Sequence, residues 1–525
     1  MTVDQVSPSD ESKGTGITAE AAVKAIKAGR KKDVDIAAQI VSDYADQMDG
    51  ETWSVEEERR LIRRIDWRLI PTLFVCATLS GLDKTAISAA AIYNIKTDLN
   101  LSGDQYSWIG SAPFFGGLVF MGPLAYCLQN LKSVSDWLRV PAVPFFAFNV
   151  LCWGILEMCM AACTSFGGLF ACRFLLGGFE SLLIPAVTLV VSMWYRPEEQ
   201  PKRNSIILNV VAPIINGFVA WVVGYYDGPF KTWKIIFLLV GALTVVTSVV
   251  VYLVLPNNPY EAKFLTSREK YIVIQRKASD NTGIESKTFK VEQVWEAIWD
   301  IKTWLIWIAI VALQNQIFCA KFMKVPNGGL TTFNTLIISG LGFDSFQTSL
   351  LAMPPGAMST LSGIGLSYLA ATTRRYRTLI VTVSILLPLF GAVLCYALPR
   401  TNLPGQLVGL YTYWAPYITL VSVYQANIAG HTKKIVLYAW FYIAWATGNI
   451  IGPQTFRADQ APEYTGGTVA MIICYIIAMF AITSYGIICQ FGNKKRAEAI
   501  ESRMAVDQDW LDLTDKENEG FKYTT

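Results

Sequence analysis

At 525 residues, 53% apolar and only 16% charged, with a mean hydropathy of +0.36, the chain cannot clothe itself as an ordinary soluble protein does, so its solvent must be largely lipid. The net charge is only +3 and the basic residues gather along one membrane face, which argues against nucleic acid as a partner. A single histidine and ten cysteines with no CxxC spacing exclude the common metal signatures, so no metal or cofactor is expected and the cysteines read as small core hydrophobes.

Residues 1–66 are polar and hold no short basic-then-apolar segment of the kind a cleaved signal peptide needs. They are expected to form a cytoplasmic tail, with membrane targeting left to the first span. A spanning helix needs roughly 20 apolar residues, and about twelve stretches qualify. Residues 67–255 hold the first group, at 69–92, 106–128, 144–163, 168–194, 206–225 and 233–255. All should be helical, since lipid leaves the backbone nothing else to bond. The longest internal polar segment follows at 256–300. Within it Thr266 and Glu269 have capping-box spacing, and Val294, Trp295 and Ile298 could lay one face of a short helix on the membrane surface. Residues 301–492 hold the second group, at 304–338, 348–369, 379–398, 407–428, 435–453 and 469–491, and residues 493–525 form a second polar tail. The expected fold is an all-α membrane protein of twelve transmembrane helices in two six-helix bundles.

Orientation follows from Lys and Arg, which favour short cytoplasmic loops. Lys132 and Arg139, Arg196, Lys202 and Arg203, Arg374, Arg375 and Arg377, Lys433 and Lys434, and 494–496 all fall on one side, while the opposite loops are poor in positive charge. Both termini are therefore expected in the cytoplasm. The tails and central segment are each too short to bury a catalytic core. No nucleophile with a base, no metal cluster and no phosphate-binding glycine loop occurs at useful spacing, so the chain is not expected to be an enzyme.

Charges inside the spans carry the functional argument, because each costs roughly 2.5 to 3.5 kcal/mol at a helix centre. The first span carries Asp83 and Lys84, the third Glu157, the fourth Arg173 and Glu180. Seven residues separate Arg173 from Glu180, two helical turns, so they share a face about 10 Å apart. That face can offer both an anion partner and a titratable acid. A structural reading is also open, in which Asp83 with Lys84 and Arg173 with Glu180 neutralise each other and brace the helices. Against it, the set can exchange partners when an anion or a proton arrives, and burial lets Glu180 or Asp83 take up a proton near physiological pH. No partner for Glu157 can be named from sequence, and a packing position and a functional one both stay open. Asn209, Asn327 and Asn427 can each contact a substrate or bond a neighbouring helix.

The stretches LDKTAISAA at 82–90, QYSWIGS at 105–111, RFLLGGFESLLIPA at 173–186 and SMWYRPEEQPKR at 192–203 resemble the fungal allantoate permease family. This family lies within the anion:cation symporter branch of the major facilitators. The likeness continues through PNGGLTTF at 326–333, LLAMPPGA at 350–357, NIAGHTKK at 427–434 and GNIIGPQ at 448–454, and covers about residues 61–495. It implies two six-helix bundles alternating around a midplane site and driven by the inward proton gradient. It further implies that Asp83 and Glu180 couple protons and that Lys84, Arg173 and Asn449 meet the substrate, with Asn209 and Asn427 as further candidate contacts. The expected activity is proton-coupled uptake of a small organic anion, such as a ureide, a vitamin carboxylate or a sulfur-containing acid, at the plasma membrane. A monomer suffices for this fold.

The chain departs from that pattern in its second span, where SAPFFGG at 111–117 lacks the tyrosines of relatives, and in 316–325, which reads as an insertion carrying Lys321 and Lys324 into the seventh span. Two rivals follow. Ala212, Pro213 and Gly217 in the fifth span loosely resemble an antiporter motif and suggest an exporter. The altered seventh span suggests a nutrient receptor that no longer transports.

Overall fold

The computed structural model describes residues 53–102, 104–130, 142–196, 199–207, 211–257, 259, 262–278, 290–315, 327–373, 376–399, 401–412, 420, 423–424, 427–429, 431–451, 465–500, 514–517 and 521–524. Among these residues the regular structure is helical throughout. Asn209 and the expected insertion at 316–325 lie outside them.

Helix α1, Val55–Ile92, begins with Ser54 accepting a hydrogen bond from the Glu57 amide, and Glu56, Glu57 and Glu58 in its first turn suit the positive end of the helix dipole. Its 38 residues reach about 57 Å at 1.5 Å per residue, well beyond a hydrocarbon core of about 30 Å. The first polar turns therefore stand outside the lipid. The N-terminal half continues with α2 (Gln105–Asn130), α3 (Ala142–Met160), α4 (Phe166–Glu180), α5 (Leu183–Trp194), α6 (Ala212–Val223) and α7 (Thr232–Val254). Two surface helices follow, α8 (Ser267–Ala278) and α9 (Val291–Trp299). The C-terminal half comprises α10 (Ile301–Asn315), α11 (Asn327–Ser339), α12 (Ser345–Leu351), α13 (Pro354–Thr372), α14 (Arg377–Ser384), α15 (Leu386–Ala397), α16 (Leu403–Tyr411), α17 (His431–Ile451) and α18 (Thr465–Ile500).

Among the described residues six segments are long and apolar enough to cross a membrane, taking 166–191 and 377–397 through their breaks. Three expected spans are interrupted, and proline explains each interruption. Pro185, Pro354 with Pro355, and Pro388 remove a backbone donor and push against the carbonyl four residues earlier. The helices accordingly part at Ser181–Leu182, at Ala352–Met353 and at Ile385. Thr266 and Glu269 do form a reciprocal cap on α8, each amide bonded to the other's side chain. On α9 the exposed apolar residues are Val291, Trp295 and Trp299, one per turn, whereas Val294 and Ile298 are half-buried. The exposed stripe is thus turned by a residue from the one expected.

Within the N-terminal half α3 lies along α7 and α2 along α4, and between the halves α1 meets α11, α2 meets α17 and α6 meets α12. Among the described residues, the hydrogen bonds that cross between the halves cluster toward the end bearing the α1–α2 turn. Ser88 Oγ and Thr335 Oγ1 lie 2.9 Å apart, the Tyr106 hydroxyl donates to the Thr332 carbonyl at 2.7 Å, and Ser111 Oγ donates to the Ile450 carbonyl at 2.8 Å. Ser345 Oγ adds a bond to the Ile92 carbonyl at 3.3 Å.

At the opposite end each half is tied by its own ionic lattice. Arg203 forks onto Asp66 at 2.8 and 3.1 Å, and Arg276 of α8 reaches Glu58 at 2.5 Å and also Glu199. In the C-terminal half residues 514–517 and 521–524 fold back beneath the helices. Lys433 Nζ contacts Asp515 at 2.5 Å, Glu296 at 2.7 Å and Asp300 at 3.4 Å, and Lys302 also contacts Asp515 at 2.5 Å. Arg496 donates to the Phe521 carbonyl at 2.6 Å. The polar tail expected from the sequence is, over these residues, a docked strap.

Candidate functional site

The break between α4 and α5 places Glu180 and Ser181 at the end of one helix and Leu183 and Ile184 at the start of the next. All four line a cavity of about 40 Å³, together with Ser80 and Lys84 of α1, Pro113 and Phe114 of α2, Gly177, and Tyr442 and Trp445 of α17. Residues from both halves thus share one chamber. Its volume admits about three waters, far less than an organic ligand needs, so the halves are closely drawn together around it. Gly177 permits the tight wall. A Cβ there would run into the Pro113 backbone, and α2 and α4 could not approach as they do.

The charged residues do not pair as neighbours in sequence. Lys84 Nζ bridges to Glu180 Oε1 across the α1–α4 interface and also donates to Ser80 Oγ at 3.0 Å and to the Ser80 carbonyl at 3.2 Å. Ser80 Oγ in turn donates to Glu180. The Lys84 side chain keeps 22% of its surface exposed against 6% for Glu180, so the base is the less enclosed member of the pair. Asp83 points away from Lys84 and accepts the Trp153 indole N–H from α3. Its other oxygen has no hydrogen-bond partner among the described residues.

Arg173 is almost wholly buried, with Nε donating to the Ile109 carbonyl at 3.0 Å and Nη1 to the Asp83 carbonyl at 3.5 Å. It forms no ion pair with Glu180 within salt-bridge distance among the described residues. The mutual neutralisation of Asp83 by Lys84 and of Glu180 by Arg173 is therefore not the pairing adopted. Glu157 is fully buried within electrostatic reach of Asp83, Arg173 and Glu180.

The asparagines separate. Asn449 is buried one turn beyond Trp445, to whose carbonyl its amide donates at 2.8 Å, so it stands close to the chamber without lining it. Asn427 sits instead with the docked strap. Its amide donates to the Tyr485 hydroxyl at 3.0 Å and the Thr524 carbonyl at 2.8 Å, and its oxygen accepts from the Thr524 amide at 2.6 Å. The structure thus gathers Asp83, Lys84, Arg173 and Glu180 with Asn449 nearby, and leaves Asn427 apart. Sequence reasoning did not single out Ser80, Trp153, Tyr442 or Trp445. Ser80 lies one turn before Lys84 and Trp153 one turn before Glu157, a spacing that marks polar faces on both helices.

A family model described as Major Facilitator Superfamily matches residues 73–453. An MFS-type transporter, cnsL, of Penicillium expansum is 81% identical over 528 residues, covering 100% of both chains. The allantoate permease of Saccharomyces cerevisiae is 30% identical, covering 98% of this chain and 95% of the permease. Among solved structures, an inward-facing, unoccupied bacterial homolog of the lysosomal transporter Spinster aligns with a TM-score of 0.58 at 14% identity, covering 80% of this chain and 95% of that one.

Proposed function

Since the chain belongs to the Major Facilitator Superfamily and is a multi-pass membrane transporter, we propose that it takes up a small organic anion together with protons, with Lys84 and Arg173 drawing the anion and Glu180 carrying the coupling proton. The observation that carries this reading is the Lys84–Glu180 ion pair on the wall of a chamber shared by both halves. A carboxylate or sulfonate entering the chamber competes for the Lys84 ammonium. Glu180, deprived of its counter-charge, is then a buried uncompensated carboxylate, a state that costs about 3 to 5 kcal/mol. Taking up a proton removes that cost. Anion and proton therefore bind together, and the emptied carrier regains neutrality by closing the ion pair. Asp83 is the second acid of the coupling set, and Asn449 is in reach of the substrate when the chamber widens. The allantoate permease of yeast, 30% identical, favours a small anionic substrate such as a ureide, a vitamin carboxylate or a sulfur-containing acid. A monomer in the plasma membrane with both termini cytoplasmic completes the reading.

The test is uptake of labelled carboxylates and sulfonates by cells lacking related permeases, at acidic and at neutral outside pH, with and without a protonophore. Acid-stimulated, protonophore-sensitive accumulation is expected. In Glu180→Gln accumulation against a gradient should vanish while some exchange persists. Uphill uptake retained in that variant removes Glu180 from the coupling role.

Export in exchange for protons is the second reading, favoured by Gly217 of α6, which lies so near Ser349 and Met353 that no side chain would fit between them. Efflux from loaded vesicles without acid-stimulated uptake would select it.

A further inference from the structure

Three carboxylates and two cations occupy the charged cluster of the N-terminal half. Asp83, Glu157 and Glu180 are 1%, 0% and 7% exposed and Arg173 is 1% exposed, with Lys84 the second cation. If all five were ionised, three negative charges against two positive would leave one uncompensated negative charge among side chains of which four are buried. Such a charge is relieved by binding a proton.

The hydrogen bonds identify which acid binds it. Glu180 receives Lys84 and Ser80, and Asp83 receives Trp153. Among the described residues Glu157 receives no donor at either carboxylate oxygen. The groups on the helices around it are committed elsewhere. Arg173 gives Nε and Nη1 to carbonyls of α2 and α1. On α7, which lies along α3, Thr244, Thr247 and Ser248 donate to carbonyls of their own helix. The charged groups that face Glu157 are Asp83 from α1 and Arg173 and Glu180 from α4.

We infer that Glu157 holds a proton while Lys84 and Glu180 are paired, making it a proton site of the cluster separate from Glu180. It deepens the proton-coupled reading at the same cluster, yet it follows from burial, charge count and hydrogen bonding without reference to the transported solute. Glu157 in this form neutralises the set when the chamber is closed. It also leaves Arg173 with only Asp83 as a nearby ionised acid outside the Lys84 pair, and so preserves positive potential for an anion.

The experiment reads the proton directly and needs no transport. The full chain, purified into lipid nanodiscs near neutral pH, is examined by infrared absorption in the carbonyl region of protonated carboxylic acids, in water and in deuterium oxide. The expected result is a deuterium-sensitive band that is lost in Glu157→Gln and kept in Asp98→Asn, whose acid pairs with Lys231 outside the cluster. Glu157→Asp should keep the band at a displaced frequency, which supplies a reading should the glutamine variant fail to fold. No band in the unsubstituted protein, a band that survives Glu157→Gln, or an unmoved band in Glu157→Asp would overturn the inference. Because the readout is independent of flux, a transporter that fails the uptake test can still pass this one, and the reverse.

Discussion

Trp153 is the sole described donor to the Asp83 carboxylate, and removing it leaves a buried acceptor unsatisfied. Trp153→Phe is therefore expected to destabilise the detergent-solubilised protein by about 1 to 3 kcal/mol, visible as a lowered melting temperature. Lys84→Ala and Arg173→Ala should both weaken anion recognition, read as a raised half-saturation concentration for uptake, and unchanged affinity in both would defeat their assignment. At this scale the sequence announced the charged residues through their cost in lipid but not their partners. Adjacent Asp83 and Lys84 leave a helix about 100° apart, so the acid meets α3 while the base meets α4. Glu157 was unreadable because its surroundings come from α1 and α4, segments distant in the chain whose rotation about their own axes no hydropathy profile supplies.

Among the elements, the α4–α5 break is the feature most directly tied to the site, since it turns Glu180, Ser181 and Ile184 onto one wall of the chamber. Pro185→Ala would restore a backbone donor across the break. It is expected to leave stability intact while reducing transport turnover, because a continuous helix loses the point at which it can bend during closure. Gly177→Val should be harsher, forcing α2 and α4 apart at a cost of about 1 to 3 kcal/mol and reducing the folded fraction on size-exclusion chromatography. The helices themselves were legible from length and apolarity. Their interruptions were not, although the prolines stood in plain view, because a proline in an apolar span is consistent with a kink, a break or a helix start. Tertiary contacts at Ser181, Ala352 and Ile385 decide among these.

For the molecule as a whole, the two-part architecture was readable because lipid simplifies the code: long apolar runs, a central polar segment, and basic loops on alternate connections. The strap was not, since polar residues after a last span look like solvated tail. Burial works against the ionised form of Asp515, but Lys302 and Lys433 outweigh it and hold this carboxyl below its ordinary value. A lowered folded-state value means that docking contributes its full stability above the ordinary carboxylate range, about pH 4, and loses it as pH falls through the lower, docked value. Protease cleavage within 514–517 should accordingly rise only in strongly acidic buffer, and Asp515→Asn should show that sensitivity at neutral pH.

The strap also has a consequence for biosynthesis. Asp515 leaves the ribosome after every described helix, yet it supplies a buried counter-charge for Lys302 and Lys433. A nascent chain stopped just before Thr514 would have inserted all its helices and still lack Asp515, leaving Lys433 to Glu296 and Asp300 and Lys302 to Asp300. Insertion and completion are thus separate events in this protein. A cell surveying newly made membrane proteins could retain the truncated chain for a fault at this polar end while its lipid-facing surface was already finished.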